Sequence, residues 1–143
     1  MKKVISFPVL ILMLFLLNAC SAKIDASKVP DRVKATFSKQ YPGISAEWEK
    51  EEGKYEAGFK INGHEASATF DGNGTLEESE EEMKVVELPQ SVQDYLKEHY
   101  KDKSIEEAAK ITLADGSINY EAEINDRDLV FDAPGKFLKE VKD

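Results

Sequence analysis

The chain states one pattern twice. Val29-Pro30 opens the first statement and Leu88-Pro89 the second, and Val33, Phe37 and Tyr41 fall on Val92, Leu96 and Tyr100 at a constant offset of 59 residues. Tyr55 and Phe59 match Tyr120 and Ile124 at an offset of 65, and Phe70, Asp71, Gly74 and Leu76 match Phe131, Asp132, Gly135 and Phe137 at 61. The drift places six extra residues in 101–119 and removes four from the later hairpin, where loops absorb them. A unit of about 60 residues is marginal alone, so the two units are expected to fold together.

Each unit begins with helical spacing and continues with strand spacing. Proline suits a first helical turn because its fixed φ is helical and its missing N–H would have had no partner there. Val33, Phe37 and Tyr41, then Val92, Leu96 and Tyr100, make one apolar stripe per helix, and Pro42-Gly43 ends the first. The period then drops to two: Ile44, Ala46 and Trp48; Tyr55, Ala57, Phe59 and Ile61; Ala66, Ala68 and Phe70. The second unit gives Ile111 and Leu113, then Tyr120, Ala122 and Ile124, then Leu129 and Phe131, and a fourth strand is expected near 75–80 and 136–141. Glu52-Gly53, Asn62-Gly63, Asp115-Gly116 and Asn125-Asp126 supply hairpin turns. The fold expected is α+β: a tandem repeat of a helix plus a four-stranded antiparallel meander, with the helices packed on one face of the sheet. Its boundaries are 29–87 and 88–143.

Ahead of the repeats, Lys2-Lys3, an apolar run from Val4 to Leu17 and a small Ala19 read as a signal peptide over 1–19. The end of that stretch, Leu17-Asn18-Ala19-Cys20, resembles the lipobox of bacterial lipoproteins, which implies a lipid anchor on Cys20 and export to the periplasm or cell surface. Residues 20–28 are then expected to be a lipidated tether. Removing 1–19 takes away only two lysines and leaves 17 basic against 28 acidic side chains, a net charge of −11. Such a field argues against nucleic acid and anionic lipid as partners.

The paired Val-Pro and Leu-Pro helix starts, Tyr41-Pro42 before Trp48, the Tyr-x-Ala-x-Phe/Ile strand and the Asp-x-x-Gly hairpin together resemble the PepSY-like, beta-lactamase-inhibitor-like lipoproteins of the Bacteroidetes. The resemblance spans 29–141. It implies a noncatalytic envelope lipoprotein that binds or inhibits a secreted or periplasmic protein, with no cofactor. A structural or sensory envelope protein without an enzyme partner is the alternative, and a small hydrolase is the remote one.

The candidate chemistry is sparse. His64 and His99 have no partner at ligand spacing and read as surface residues. Asp71-Gly72-Asn73-Gly74-Thr75 has oxygens at alternate positions, but Leu76 stands where a calcium loop needs glycine, so a tight hairpin is expected and no metal. The run Glu77, Glu78, Glu80, Glu81 and Glu82 reads as a solvated edge or connector. Glu47 and Glu49 share a strand face without a sign of a pocket, and Trp48 reads as core. The sheet face away from the helices should carry Glu56, Lys60, Ser67, Thr69, Glu121, Glu123 and Asn125 in water. Glu121 and Glu123 are the candidate partner-binding residues.

Overall fold

The computed structural model describes residues 22–142. Cys20 and the segment 1–19 lie outside the described residues. Among those described, no helix is long and apolar enough to cross a membrane.

The elements, in chain order, are β1 (Ala22–Ile24), α1 (Asp31–Gln40), β2 (Glu47–Glu51), β3 (Lys54–Ile61), β4 (His64–Phe70) and β5 (Leu76–Glu82). They continue with α2 (Gln90–His99), β6 (Ala108–Leu113), β7 (Ile118–Glu123), β8 (Arg127–Asp132) and β9 (Phe137–Lys142). Short 3-10 turns at Ala26–Lys28 and Val85–Glu87 precede the helices. The nine strands form one antiparallel sheet in sequence order, so each strand pairs with the next. Each helix is followed by four consecutive strands of this sheet.

The helices form where the apolar stripe and the proline place them. Pro30 and Pro89 sit at the N-terminal caps, and each helix buries two stripe residues, Val33 with Phe37 and Val92 with Leu96. Phe37 packs against Tyr41, Trp48, Phe59 and Phe70, with ring centroids 5.2–6.4 Å apart. Trp48 is core, as its alternation predicts. In the second half the aromatic centre moves one position along the helix. Tyr95 stacks on Phe137 at 5.3 Å and meets Phe131 edge-on, while Leu96 fills the place of Phe37. Of the adjacent Phe137 and Leu138, therefore, Phe137 turns inward and Leu138 is exposed.

The hairpin after β4 and the one after β8 clamp onto their helices. Asp71 accepts hydrogen bonds from the backbone N–H groups of Asn73 and Thr75 at 2.8 Å, and Asp132 accepts one from Lys136 at 2.7 Å. The Thr36 hydroxyl donates to the Gly74 carbonyl and the Ser91 hydroxyl to the Pro134 carbonyl, each at 2.8 Å. Gly74 and Gly135 have φ of +86° and +93°, and a Cβ on Gly74 would stand 2.7 Å from the backbone oxygen of Arg32. Glycine is needed at that point for both reasons.

Two expectations are corrected. Residues 20–28 do not read as a free tether over their described part: Ala22, Lys23 and Ile24 pair with Lys50, Glu49 and Trp48 as the first edge strand. Lys23 also bridges to Glu47 at 3.1 Å. The glutamate-rich run is not an edge but β5, an interior strand bonded to β4 on one side and β6 on the other. It is the connector between the two halves, and it makes their sheet continuous. Its charges are accommodated because Glu81 lies opposite Lys110 and Glu77 bridges to Lys54 at 2.6 Å.

On the helix side the halves keep separate apolar clusters, one under α1 and one under α2. Between them Ser79 and Glu81 on β5 face Thr112 and Lys110 on β6. This polar seam lines a cleft of about 60 Å³, closed on one side by Tyr41, Phe59 and Ile61.

A curled acidic face away from the helices

The face without helices is set by the same register that builds the core. Tyr55, Ala57 and Phe59 turn toward α1, so Glu56 turns away, directly opposite Glu49 on β2 and Thr69 on β4. Thr69 in turn lies opposite Glu78, and Ser67 opposite Glu80. The row runs on through Leu113 and Ile111 on β6 to Glu121 and Glu123 on β7 and Asp128 on β8.

This face was expected in water. Its position is as read from the sequence, but its solvation is corrected. Glu56 is 5% exposed, Glu121 2%, Glu123 6% and Asp128 0%, and Ser67 and Thr69 are buried too. Lys60 is exposed, and Asn125 is not on the face but in the β7–β8 turn at a φ of +52°. The burial comes from curvature, since no helix covers this side. Lys139 on β9 acts on the carboxyl of Glu78 on β5, and Asp128 on β8 acts on that of Glu80. Four strand spacings separate β5 from β9, about 19 Å in a flat sheet, so the sheet curls to bring these groups together.

Curling brings carboxylates together with little compensating charge. Burial, with Glu49, Glu51 and Glu78 nearby, pushes the carboxyl of Glu56 up to about 7, although a hydrogen bond from the Ser67 hydroxyl works against the rise. Burial and then Glu78, Glu56, Asp128 and Glu107 push Glu80 up to about 8. Glu78 is raised by burial, and Lys54 and Lys139 hold it down in part. Oε2 of Glu56 and Oε2 of Glu51 are sealed from solvent with no hydrogen-bond partner in the protein. Sequence reasoning set aside Glu49 for want of a pocket; the register places it against a carboxyl whose titration is displaced. It also missed Glu51, Glu78 and Glu80. The alternation within 76–82 would have put Glu78 and Glu80 on this face had the run been taken for an interior strand.

The remaining candidates are ordinary. His64 begins β4 opposite Ile61, and His99 is exposed and stacks on Tyr95 at 4.2 Å. The Asp71 carboxylate is occupied by its own turn, which holds it below the usual carboxylate range. No cluster of three or more His, Cys, Asp or Glu side chains arranged to hold a metal occurs among the described residues.

Compared with known proteins, residues 16–78 and 53–139 match the family described as beta-lactamase-inhibitor-like, PepSY-like. No curated protein matches the chain. Among solved structures, a DUF2874 family protein from Bacteroides uniformis superposes with a TM-score of 0.72 at 19% identity, covering 78% of this chain and 88% of that one. A BLIP-like protein from Bacteroides fragilis gives 0.68 at 22% identity, covering 78% and 84%. A protein from Bacteroides eggerthii described as periplasmic gives 0.71 at 18% identity, covering 79% and 88%. These likenesses establish the fold.

Proposed function

The chain belongs to the PepSY-like, beta-lactamase-inhibitor-like family, and from that premise we propose that it is a noncatalytic envelope lipoprotein that binds, and by binding restrains, a secreted or periplasmic protein. One observation carries the reading: a continuous nine-stranded sheet curls around a face crowded with carboxylates. A sheet face this rich in carboxylates suits a protein partner that presents lysine or arginine. The description of the family as inhibitor-like supports the same reading, as does the periplasmic description of a structural neighbour. In this reading the two helix-plus-four-strand halves are copies of one unit, and the second copy doubles the breadth of the binding sheet. Glu121 and Glu123 belong to the inner surface of that sheet.

Cys20 carries the lipid. With β1 starting at Ala22, the anchor leaves almost no slack, so the first edge of the sheet is held next to the membrane. Replacing Cys20 by Ala is expected to release the protein into the soluble fraction. A variant that stays membrane-bound, or a wild type without acyl chains by mass spectrometry, overturns the anchor.

Affinity capture from envelope extract tests the binding reading. Charge-driven contacts are screened beyond about 8 Å at physiological ionic strength, so captured partners should leave as salt rises. Because Glu121 and Glu123 are buried, reversing them to Lys would disturb the fold, and the isosteric Glu56→Gln/Glu80→Gln pair is the better probe. A partner retained in high salt and indifferent to that pair places the binding surface elsewhere.

A further inference from the structure

We infer that the cleft between the two halves, on the helix side of the sheet, is a binding site for a free α-amino acid with an apolar side chain, its ammonium seated on Glu81 and its carboxylate on Lys110. The site lies on the opposite face from the acidic one and is independent of the binding reading above.

The cleft exists because each helix packs on its own half. β5 and β6 run between the two apolar clusters, and the residues they turn to the helix side are Ser79, Glu81, Lys110 and Thr112. Beside Glu81, β4 supplies Ala66, whose methyl group leaves the space above it open. One wall is apolar and held in place. Tyr41 packs on Phe59 with ring centroids 4.5 Å apart, Phe59 packs on Phe37 at 5.2 Å, and Ile61 completes the wall. The floor from β4 to β6 is two strand spacings wide, about 10 Å, which admits one amino acid.

The charges of the floor face each other and are left open. Glu81 and Lys110 are directly opposite in register, where a pair of opposite charges contributes to a sheet when it closes. Among the described residues, no ion pair or hydrogen bond engages either side chain. The repeat supplies a contrast. Lys50 holds the corresponding place in the first half, and its ammonium rests 5.3 Å from the ring centre of Tyr55, its cross-strand neighbour. Lys110 stands opposite Tyr120 in the same register and makes no such contact.

A ligand that carries an ammonium and a carboxylate on neighbouring atoms fits between these two head groups, each charge meeting its opposite. Ser79 and Thr112, opposite each other beside the pair, offer hydroxyls to the same ligand. An apolar side chain then lies against Tyr41, Phe59 and Ile61, so wall and floor are used together. A cation or an anion alone would leave one head group unmatched.

An amide NMR titration of the mature chain near neutral pH, with leucine as the probe, tests this. Saturable shifts are expected at Ser79, Glu81, Lys110 and Thr112, with a Kd on the order of 0.1–1 mM. Leucinamide lacks the carboxylate and N-acetyl-leucine the ammonium, and each should bind about tenfold more weakly. Glycine, with no side chain for the wall, should bind about fivefold more weakly. Lys110→Gln should bring leucine down to the level of leucinamide, and Glu81→Gln to that of N-acetyl-leucine, while Glu98→Gln on the exposed face of α2 changes nothing. Thermal melts establish that the Gln variants fold. No saturable shift up to about 20 mM leucine overturns the site. Leucinamide and N-acetyl-leucine binding as tightly as leucine, or shifts unchanged in both variants, overturn it as well. Each of these results leaves the capture of a protein partner standing, and failure of that capture leaves this site standing.

Discussion

On the helix side the two halves of the sheet bury apolar residues at matching positions; on the other side they do not match. Val33 and Val92 are wholly enclosed, as are Phe70 and Phe131, and Phe37 and Leu96 occupy the same central place. Turned away from the helices, Glu49 and Glu51 of the first half stand where Ala109 and Ile111 stand in the second, and Thr69 where Val130 stands. Glu78 and Glu80 correspond to Lys139 and Val141. A strand face that must bury a helix tolerates few side chains, so the pattern recurs. The opposite face has no such obligation. In the first half its acids gather around hydroxyls and each other, while in the second they are set among aliphatic residues.

Core truncations strike this comparison hardest. Phe37→Ala is expected to cost about 3–5 kcal/mol and Leu96→Ala about 2–5 kcal/mol, since each empties the centre of a buried cluster. Because the sheet is continuous through β5, both variants should lower one and the same denaturation transition. Two separable transitions, or losses of only a few tenths at both positions, would break the equivalence of the halves.

A comparable effect should come from the acidic face. In the unfolded chain Glu56 and Glu80 ionise near 4.5, whereas in the folded protein they do so at about 7 and about 8. Between those limits the native state holds more protons than the unfolded one, so stability is greatest in mild acid and declines as pH rises, levelling off above about 8. At about 1.4 kcal/mol for each pH unit over which one of them holds an extra proton, the decline is expected to be several kcal/mol between pH 5 and pH 8.5, on the order of 5 kcal/mol. The Glu56→Gln/Glu80→Gln variant should flatten it. Urea titrations across that range that show no slope in the wild type would remove the first half's distinction.

The hairpin glycines sharpen the comparison further. Gly74→Ala should cost about 1–3 kcal/mol, because a Cβ there meets the fixed backbone of Arg32 at positive φ. Gly135→Ala should cost about as much, since the Ser91 Oγ can rotate away but the Ser91 Cβ, 2.7 Å from the added Cβ, is fixed by the backbone and φ there is +93°. A large difference between the two in melting temperature would mean that one hairpin is the more rigid clamp. Least affected should be the first edge: Lys23→Ala removes an exposed bridge to Glu47 and should leave the denaturation midpoint unchanged.

Periodicity and punctuation made most of the fold legible. The helix stripes, the alternation of Tyr55 to Ile61 and the glycine turns report local backbone preference and the side that must be buried, and both are written in neighbouring residues. The strand at Ala22–Ile24 was not legible, because three residues have no period and their partners in β2 are 24–28 residues away. Nor was the place of Glu77–Glu82 in the sheet, since five glutamates look like a solvated run until β4 and β6 are known to flank them. Sequence alone determined that Glu56, Ser67, Thr69, Glu121 and Glu123 point away from the helices, for that follows from a period of two. Only the tertiary structure decided that they are enclosed. Curvature is a property of nine strands twisting together, and it is what turns a row of separate glutamates into one crowded, proton-holding face.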